Sequence, residues 1–514
     1  MGFLILVLTS LLTFVLGYLR HCYNYWELQG VPQLRPHFIY GHFFKLKSLH
    51  LSELLQETYD AFKGKARLAG TYLFTRPIAV VTDLDLAKVI LIKDFNKFVD
   101  RSSSASLNLQ DNPLAGHLFN LHGEEWRALR TKLSPTFTSG KIKYMFSTIT
   151  EVADQLQQTF DQEVGDDGAV LELHDLLGRY TIDVIGSCAF GVKCNSLKNP
   201  QAEFRVVGRK LFNNPKFNVR WALFRMTYAN LFRKLPIKFK SFGQEHTKFF
   251  LRLVQDTVDL RERENIKRND FMDLLLNLRK TGESSGLSVE QLAAQVFVFF
   301  VAGFETSSSN MSWALFELTK NQSIQAKLRD EILSVLQKHG KLTYEAMMEM
   351  TYLDQVVNET LRKYPALASL TRIPAEDYKL PSDDESNSDG HIVLERGIKV
   401  HIPVRAIHYD PEIYPEPHEF RPERFEPAAT QQRHPLAFLG FGDGPRNCIG
   451  LRFGRMQVKV GLITLLAAFQ FSQKGSEIPI VTNSHFVLVP KNGVKIRVDR
   501  LPADWWSDYK SRQV

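Results

Sequence analysis

A mainly helical chain with small β-sheets, an α+β arrangement led by an N-terminal transmembrane helix, is the fold class that the residue patterning predicts. Three observations carry it. Apolar residues recur at helical spacing after Asp83, across residues 145–285, over 288–320 and again beyond Cys448. Strand candidates are short and scattered, at 71–82, 376–380, 391–395, 398–405, 484–490 and 494–498. Residues 2–19 carry no charge at all.

That first run would span about 27 Å as a helix at ~1.5 Å per residue, close to the thickness of a bilayer core. A cleaved signal peptide is the rival reading, but no lysine or arginine precedes the run and no small-x-small cleavage site follows it. Positive charge begins only at Arg20, Arg35, Lys45 and Lys47, which assigns the bulk of the chain to the cytoplasmic side. Pro32 and Pro36 then stiffen the connection. The expected organisation is an anchor over 1–20, a proline-containing hinge over 21–50 and a single domain over 51–514, since no repeat or composition shift divides the remainder.

Composition narrows the class further. With 44% apolar and 23% charged residues in a chain of 514, a sizeable core is assured and disorder is excluded. The formal net charge of +8 suits an anionic membrane surface or an acidic protein partner, and no nucleic-acid motif accompanies it. Cys22, Cys188, Cys194 and Cys448 form neither a C-x-x-C pair nor a disulfide-like framework, which fits a reducing compartment.

In chain order, residues 71–82 surround one proline with β-branched and aromatic side chains and predict a hairpin. Trp126 and Arg130, four apart, share one face of a helix, as in any amphipathic helix. The stretch 217–235 mixes aromatics with arginines, as interfacial segments and core helices both do. Ser288 and Gln291 have the spacing of a capping box and open a helix running to about Lys320, almost wholly apolar from Ala293 to Val301. Its middle breaks the rule: Ala302, Gly303, Phe304, Glu305, Thr306 and Ser307 put glycine, a carboxylate and hydroxyls into a buried helix. A bent helix with a threonine-satisfied carbonyl would explain this, but such local violations usually mark function. Glu359 and Arg362 sit three apart on a helix that Pro365 ends. Residues 381–390 form an acidic, exposed loop between two strands, and 484–490 with 494–498 predict a terminal hairpin.

The most informative stretch is 436–456, where a glycine-rich loop delivers Cys448 to the start of an apolar helix. Gly440, Gly442 and Gly444 open backbone angles closed to other residues, and Pro445 stiffens the last turn. Unpaired amides at a helix N-terminus favour negative charge, so the thiol is expected to be lowered toward the metal-binding thiolate. Taken alone, Cys448 reads as a buried cysteine under a tight turn. It is not alone: Phe441, Gly442, Gly444, Arg446, Cys448 and Gly450 match the F-x-x-G-x-R-x-C-x-G signature, and the chain resembles the cytochrome P450 family of haem-thiolate monooxygenases. Gly440 departs from the proline that close relatives carry before Phe441. The resemblance covers nearly the whole chain, and Pro445–Gly454 and Asn112–Asn120 look most like insect microsomal enzymes of the sixth family.

The resemblance implies the P450 fold, with haem b (iron protoporphyrin IX) between the long central helix and the cysteine loop, and makes 51–514 a haem-binding catalytic domain. It implies Cys448 as the axial iron ligand. Arg446, Trp126, Arg130 and Arg372 would hold the haem propionates, Phe441 would pack beside the sulfur, and Gly442 and Gly450 would let the backbone approach the ring. Ala302 and Gly303 would make room over the iron, Thr306 would hydrogen-bond bound oxygen, and Glu305 would relay protons. Glu359, Arg362 and Arg424 would form a structural network bracing the cysteine loop. Lys132, Lys141, Lys143, Arg452, Arg455 and Lys459 would build a basic face for an electron donor, where a merely solvated face is the default. Phe119, Phe300, Phe304 and Leu370 would give the substrate pocket an apolar lining.

The implied reaction inserts one atom of O₂ into a lipophilic substrate at the endoplasmic reticulum membrane. NADPH-cytochrome P450 reductase would supply electrons, with cytochrome b5 as a further donor. Rival classes are a haem-thiolate isomerase, which needs no reductase, and a non-catalytic haem sensor or lipophile-binding protein. A zinc protein has little support, because the histidines are scattered and lack H-E-x-x-H spacing.

Overall fold

Helix α9, Val289–Lys320, runs through the centre of the molecule because its residues are apolar on nearly every side. Its start is fixed by the capping box: Gln291 N donates to Ser288 Oγ, and Ser288 N donates to Gln291 Oε1. The computed structural model describes residues 1–42, 51–102, 109, 112–212, 228, 244–268, 270–280, 287–381, 392–473, 487–490 and 493–501. Within these, the helices of ten residues or more are α1 (Gly2–Tyr23), α2 (Leu51–Phe62), α3 (Gly123–Leu133), α4 (Phe146–Val164), α5 (Leu173–Ile185), α6 (Glu203–Phe212), α7 (Gln244–Arg263), α8 (Phe271–Lys280), α9, α10 (Gln322–His339), α11 (Thr351–Lys363) and α12 (Leu451–Ala468). Helix α9 packs against α5, α7, α11 and α12, so four elements bury it.

The β structure is minor and lies in three sheets. Strands β1 (Leu68–Leu73) and β2 (Arg76–Val81) form the expected hairpin, and β7 (Lys399–Ile402) and β4 (Leu370–Arg372) extend it to the order β1-β2-β7-β4. A two-stranded sheet pairs β5 (Tyr378–Lys379) with β6 (Val393–Leu394) on either side of the acidic insert, most of which falls outside the described residues. Strand β9 (Lys495–Arg500) lies between β3 (Ala169–Glu172) and β8 (Phe469–Ser472). The expected hairpin of 484–490 with 494–498, of which 484–486 lie outside the described residues, is therefore corrected: both edges of β9 are taken, by β3 and by β8.

Two cores result. The larger one joins the helices around α9, and the smaller one lies on the four-stranded sheet and includes Tyr23, Trp26 and Val31. Trp26 is fully buried, donates from Nε1 to the Thr71 carbonyl, and fills space that only a glycine at position 70 leaves open. Helix α1 is long and apolar enough to cross a membrane and only its last residue, Tyr23, is buried in the fold; α9 passes the same test but is mostly buried. The stretch 217–235 lies outside the described residues apart from Tyr228.

Candidate active site

The cysteine loop is set by two glycines. Gly442 and Gly444 have φ of 69° and 72°, and a Cβ at 444 would come within 2.0 Å of the Leu91 carbonyl oxygen. Cys448 N donates to the Phe441 carbonyl at 2.9 Å, closing the loop just before Gly450, the N-cap of α12. A Cβ at Gly450 would meet nothing within 4 Å. Cys448 is exposed by accessible surface, yet the surrounding protein desolvates its thiol. Burial pushes its thiol up, outweighing the Gly450 N–H, Arg130 and Arg101 that pull it down. The expected lowering therefore fails for the thiol by itself, because desolvation exceeds the helix-terminus effect.

Around the sulfur stands a set of crowded cations. Arg446 is buried, its guanidinium lies 4.4 Å from the Trp126 ring centroid, and it donates to the Phe119 and Leu121 carbonyls. Arg130 donates to the carbonyl and Oδ1 of Asn447 at 3.0 and 2.9 Å. Arg372 donates to the Thr371 carbonyl at 2.9 Å. Sequence reasoning missed a fourth member, Arg101, which donates to the Arg446 carbonyl at 2.7 Å and stacks 4.1 Å over Phe119. Burial and mutual repulsion push Arg446 and Arg372 down to about 9, while burial takes Arg101 down to about 10. Asp100, 3.9 Å from Arg446, offsets little of this charge. Nε of both Arg446 and Arg372 is buried without a partner. Such a cluster fits a dianionic ligand, as the two propionates of haem would be.

Helix α9 carries the notch. Ala302 is exposed although its helix is otherwise enclosed, and Thr306 Oγ1 donates to the Ala302 carbonyl at 2.7 Å. Gly303 corrects an expectation: a Cβ there would come within 2.3 Å of Ile185 on α5, so its smallness serves helix approach. Glu305 is buried and faces His174 on α5 at 3.2 Å. Phe300 and Phe304 are also buried, against Phe204, Phe250 and Gly208, so they close the aromatic side of the interior as a packed cluster.

The bracing residues are brought together. Arg362 Nε and Nη2 donate to Glu359 at 2.7 and 2.8 Å, both side chains fully buried, and Arg424 Nε lies 3.4 Å from Glu359. The connection to the cysteine loop runs through His408, which the sequence did not reveal. Its Nδ1 donates to the Arg362 carbonyl at 3.1 Å and its Nε2 accepts from Leu439 N at 2.9 Å. Burial, with Arg362 close by, pushes His408 down to about 3, so it is neutral and can serve both bonds. The basic face is smaller than expected. Lys459 is buried on Asp354 at 2.9 Å, Arg455 reaches Asn358, and Lys143 pairs with Glu345, because α11 and its neighbours take those side chains. Lys132, Lys141, Lys143 and Arg452 stay exposed, Lys143 within its pair.

Comparison with known proteins agrees with this geometry. The cytochrome P450 family profile matches residues 31–498. The chain is 47% identical to probable cytochrome P450 6a14 of Drosophila melanogaster, covering 93% of this chain and 96% of that protein. Cytochrome P450 6A1 of Musca domestica is 44% identical, covering 97% and 98% respectively. The chain belongs to the cytochrome P450 family of haem-thiolate monooxygenases.

Proposed function

We propose that this monooxygenase is anchored in the endoplasmic reticulum membrane by α1, faces the cytoplasm, and oxidises a lipophilic substrate with electrons drawn from NADPH through a flavoprotein reductase, cytochrome b5 assisting. The cofactor is haem b. Cys448 would bind its iron, and Arg101, Arg130, Arg372 and Arg446, with Trp126 beneath Arg446, would hold its propionates. Bound there, haem supplies activation of O₂ and transfer of one oxygen atom to substrate. The chain's own residues do the rest. The exposed Ala302 leaves space on the distal side, Thr306 offers a hydroxyl there, and Glu305 supplies protons from behind it. The phenylalanine cluster keeps water from that space and favours apolar ligands.

The observation that carries this reading is a desolvated cysteine beside buried arginines whose nearest carboxylate among the described residues is Asp100, 3.9 Å from Arg446. The test is turnover by the purified enzyme with its reductase in vesicles under ¹⁸O₂. One labelled oxygen in the product and NADPH-dependent O₂ consumption are expected. Product formed without NADPH or without label would instead favour an isomerase, and ligand binding without turnover a sensor.

A further inference from the structure

The carboxylate of the central notch faces α5. Glu305 Oε1 lies 3.2 Å from His174 Nε2, in the first turn of α5, while the Thr306 hydroxyl is engaged with the Ala302 carbonyl. The Glu305 side chain is 5% exposed and that of His174 is 21% exposed, so the histidine is the more accessible end of the pair. We propose that His174 is the entry point of the proton path, a positioning and relay residue that orients Glu305 and reloads it with protons from water. This rests on the monooxygenase reading, and its test separates the two.

The transfer balances simply. The imidazolium Nε2–H bond breaks, an O–H bond forms on Glu305, and neutral His174 then recovers one proton from solvent. The groups facing the ring favour its charged form. Glu305 and Ser309 approach from α9, the Ser309 hydroxyl at 3.3 Å, and Glu172 and Asp175 lie on the ring's own turn. Asp175 is itself bound by Arg179 and by Arg205 of α6, and Glu172 by Val494 N, which leaves Glu305 as the carboxylate that His174 meets directly. Burial pulls His174 down, but the three carboxylates outweigh it and hold the ring above its ordinary value. The ring therefore keeps its proton to a higher pH than an ordinary imidazole and loses it as pH rises through that raised value.

The experiment uses the full-length holoenzyme with its reductase in vesicles. A thiolate-type spectrum of the reduced, carbon-monoxide-bound protein is recorded first; its absence from wild type would overturn the monooxygenase reading, while its presence in H174Q and H174R shows that both fold. Diethyl pyrocarbonate labelling read by mass spectrometry across pH then gives the midpoint of His174 without turnover. A midpoint above the ordinary imidazole value that falls in E305Q is expected. A midpoint that E305Q leaves unchanged overturns the proposal. In turnover, product per NADPH in wild type should fall as pH rises through the His174 midpoint. H174Q should flatten that profile and raise peroxide per NADPH about tenfold. H174R keeps a cation beside Glu305 but cannot release its proton, so it should not restore the profile. Restoration by H174R would make the pair a structural ion pair and overturn the relay.

Discussion

Arginine and histidine account for most of what the individual residues contribute. Four arginines crowd one interior region where burial and mutual repulsion oppose their charge, a cost that an anionic ligand would relieve. Arg446→Leu and Arg372→Leu are accordingly expected to lower haem retention on purification at least several-fold, read by the haem-to-protein ratio, with Arg101→Leu behaving like them. Arg446, Arg130 and Arg372 were legible as parts of family motifs. Arg101 was not, because it stands in no spacing pattern and acquires its meaning only when residues 345 positions apart meet. His117, His401 and His408 are all held neutral by burial at about 3. Their folded values lie below the unfolded one, so the unfolded chain binds more protons in that window and stability falls as pH drops from about 6.5 toward 3. Thermal denaturation should show a falling Tm over that range, with a smaller slope for His401→Gln.

At the scale of elements, helix contacts and turns depend on a few small residues. Gly303→Ala would drive a methyl into Ile185 between α9 and α5 and should destabilise the fold by about 1–3 kcal/mol, measured by chemical denaturation. The Glu359–Arg362 pair is the stronger case. Removing one partner leaves the other buried and unpaired, so Arg362→Leu should cost about 3–5 kcal/mol and loosen the cysteine loop through His408 and Leu439. The long helix, its cap and the first hairpin were readable because their signals are local: a Ser288/Gln291 pair, an apolar run, and alternating β-branched residues. The terminal sheet was not, since β9 chooses partners more than 300 residues upstream as well as nearby, and no local pattern encodes that choice. The basic face is smaller than expected for the same reason. Lys459 and Arg455 look solvated in sequence, and only the crossing of α11 by α12 gives them Asp354 and Asn358.

At the scale of the molecule, an exposed apolar helix precedes a fold whose first tryptophan is already locked into the sheet. Deleting residues 2–20 should move the protein from membrane pellet toward the soluble fraction, read by ultracentrifugation, without loss of its haem spectrum. The fold packs the notched central helix against the helix that follows the cysteine loop, and brings cations from four separate segments together. That convergence, more than any single motif, supports the function. The most direct test is the absorption of the reduced, carbon-monoxide-bound protein: wild type should show the band of a thiolate-ligated haem and Cys448→Ser should lose it, whereas an unchanged band in Cys448→Ser would contradict the assignment of that sulfur as the iron ligand.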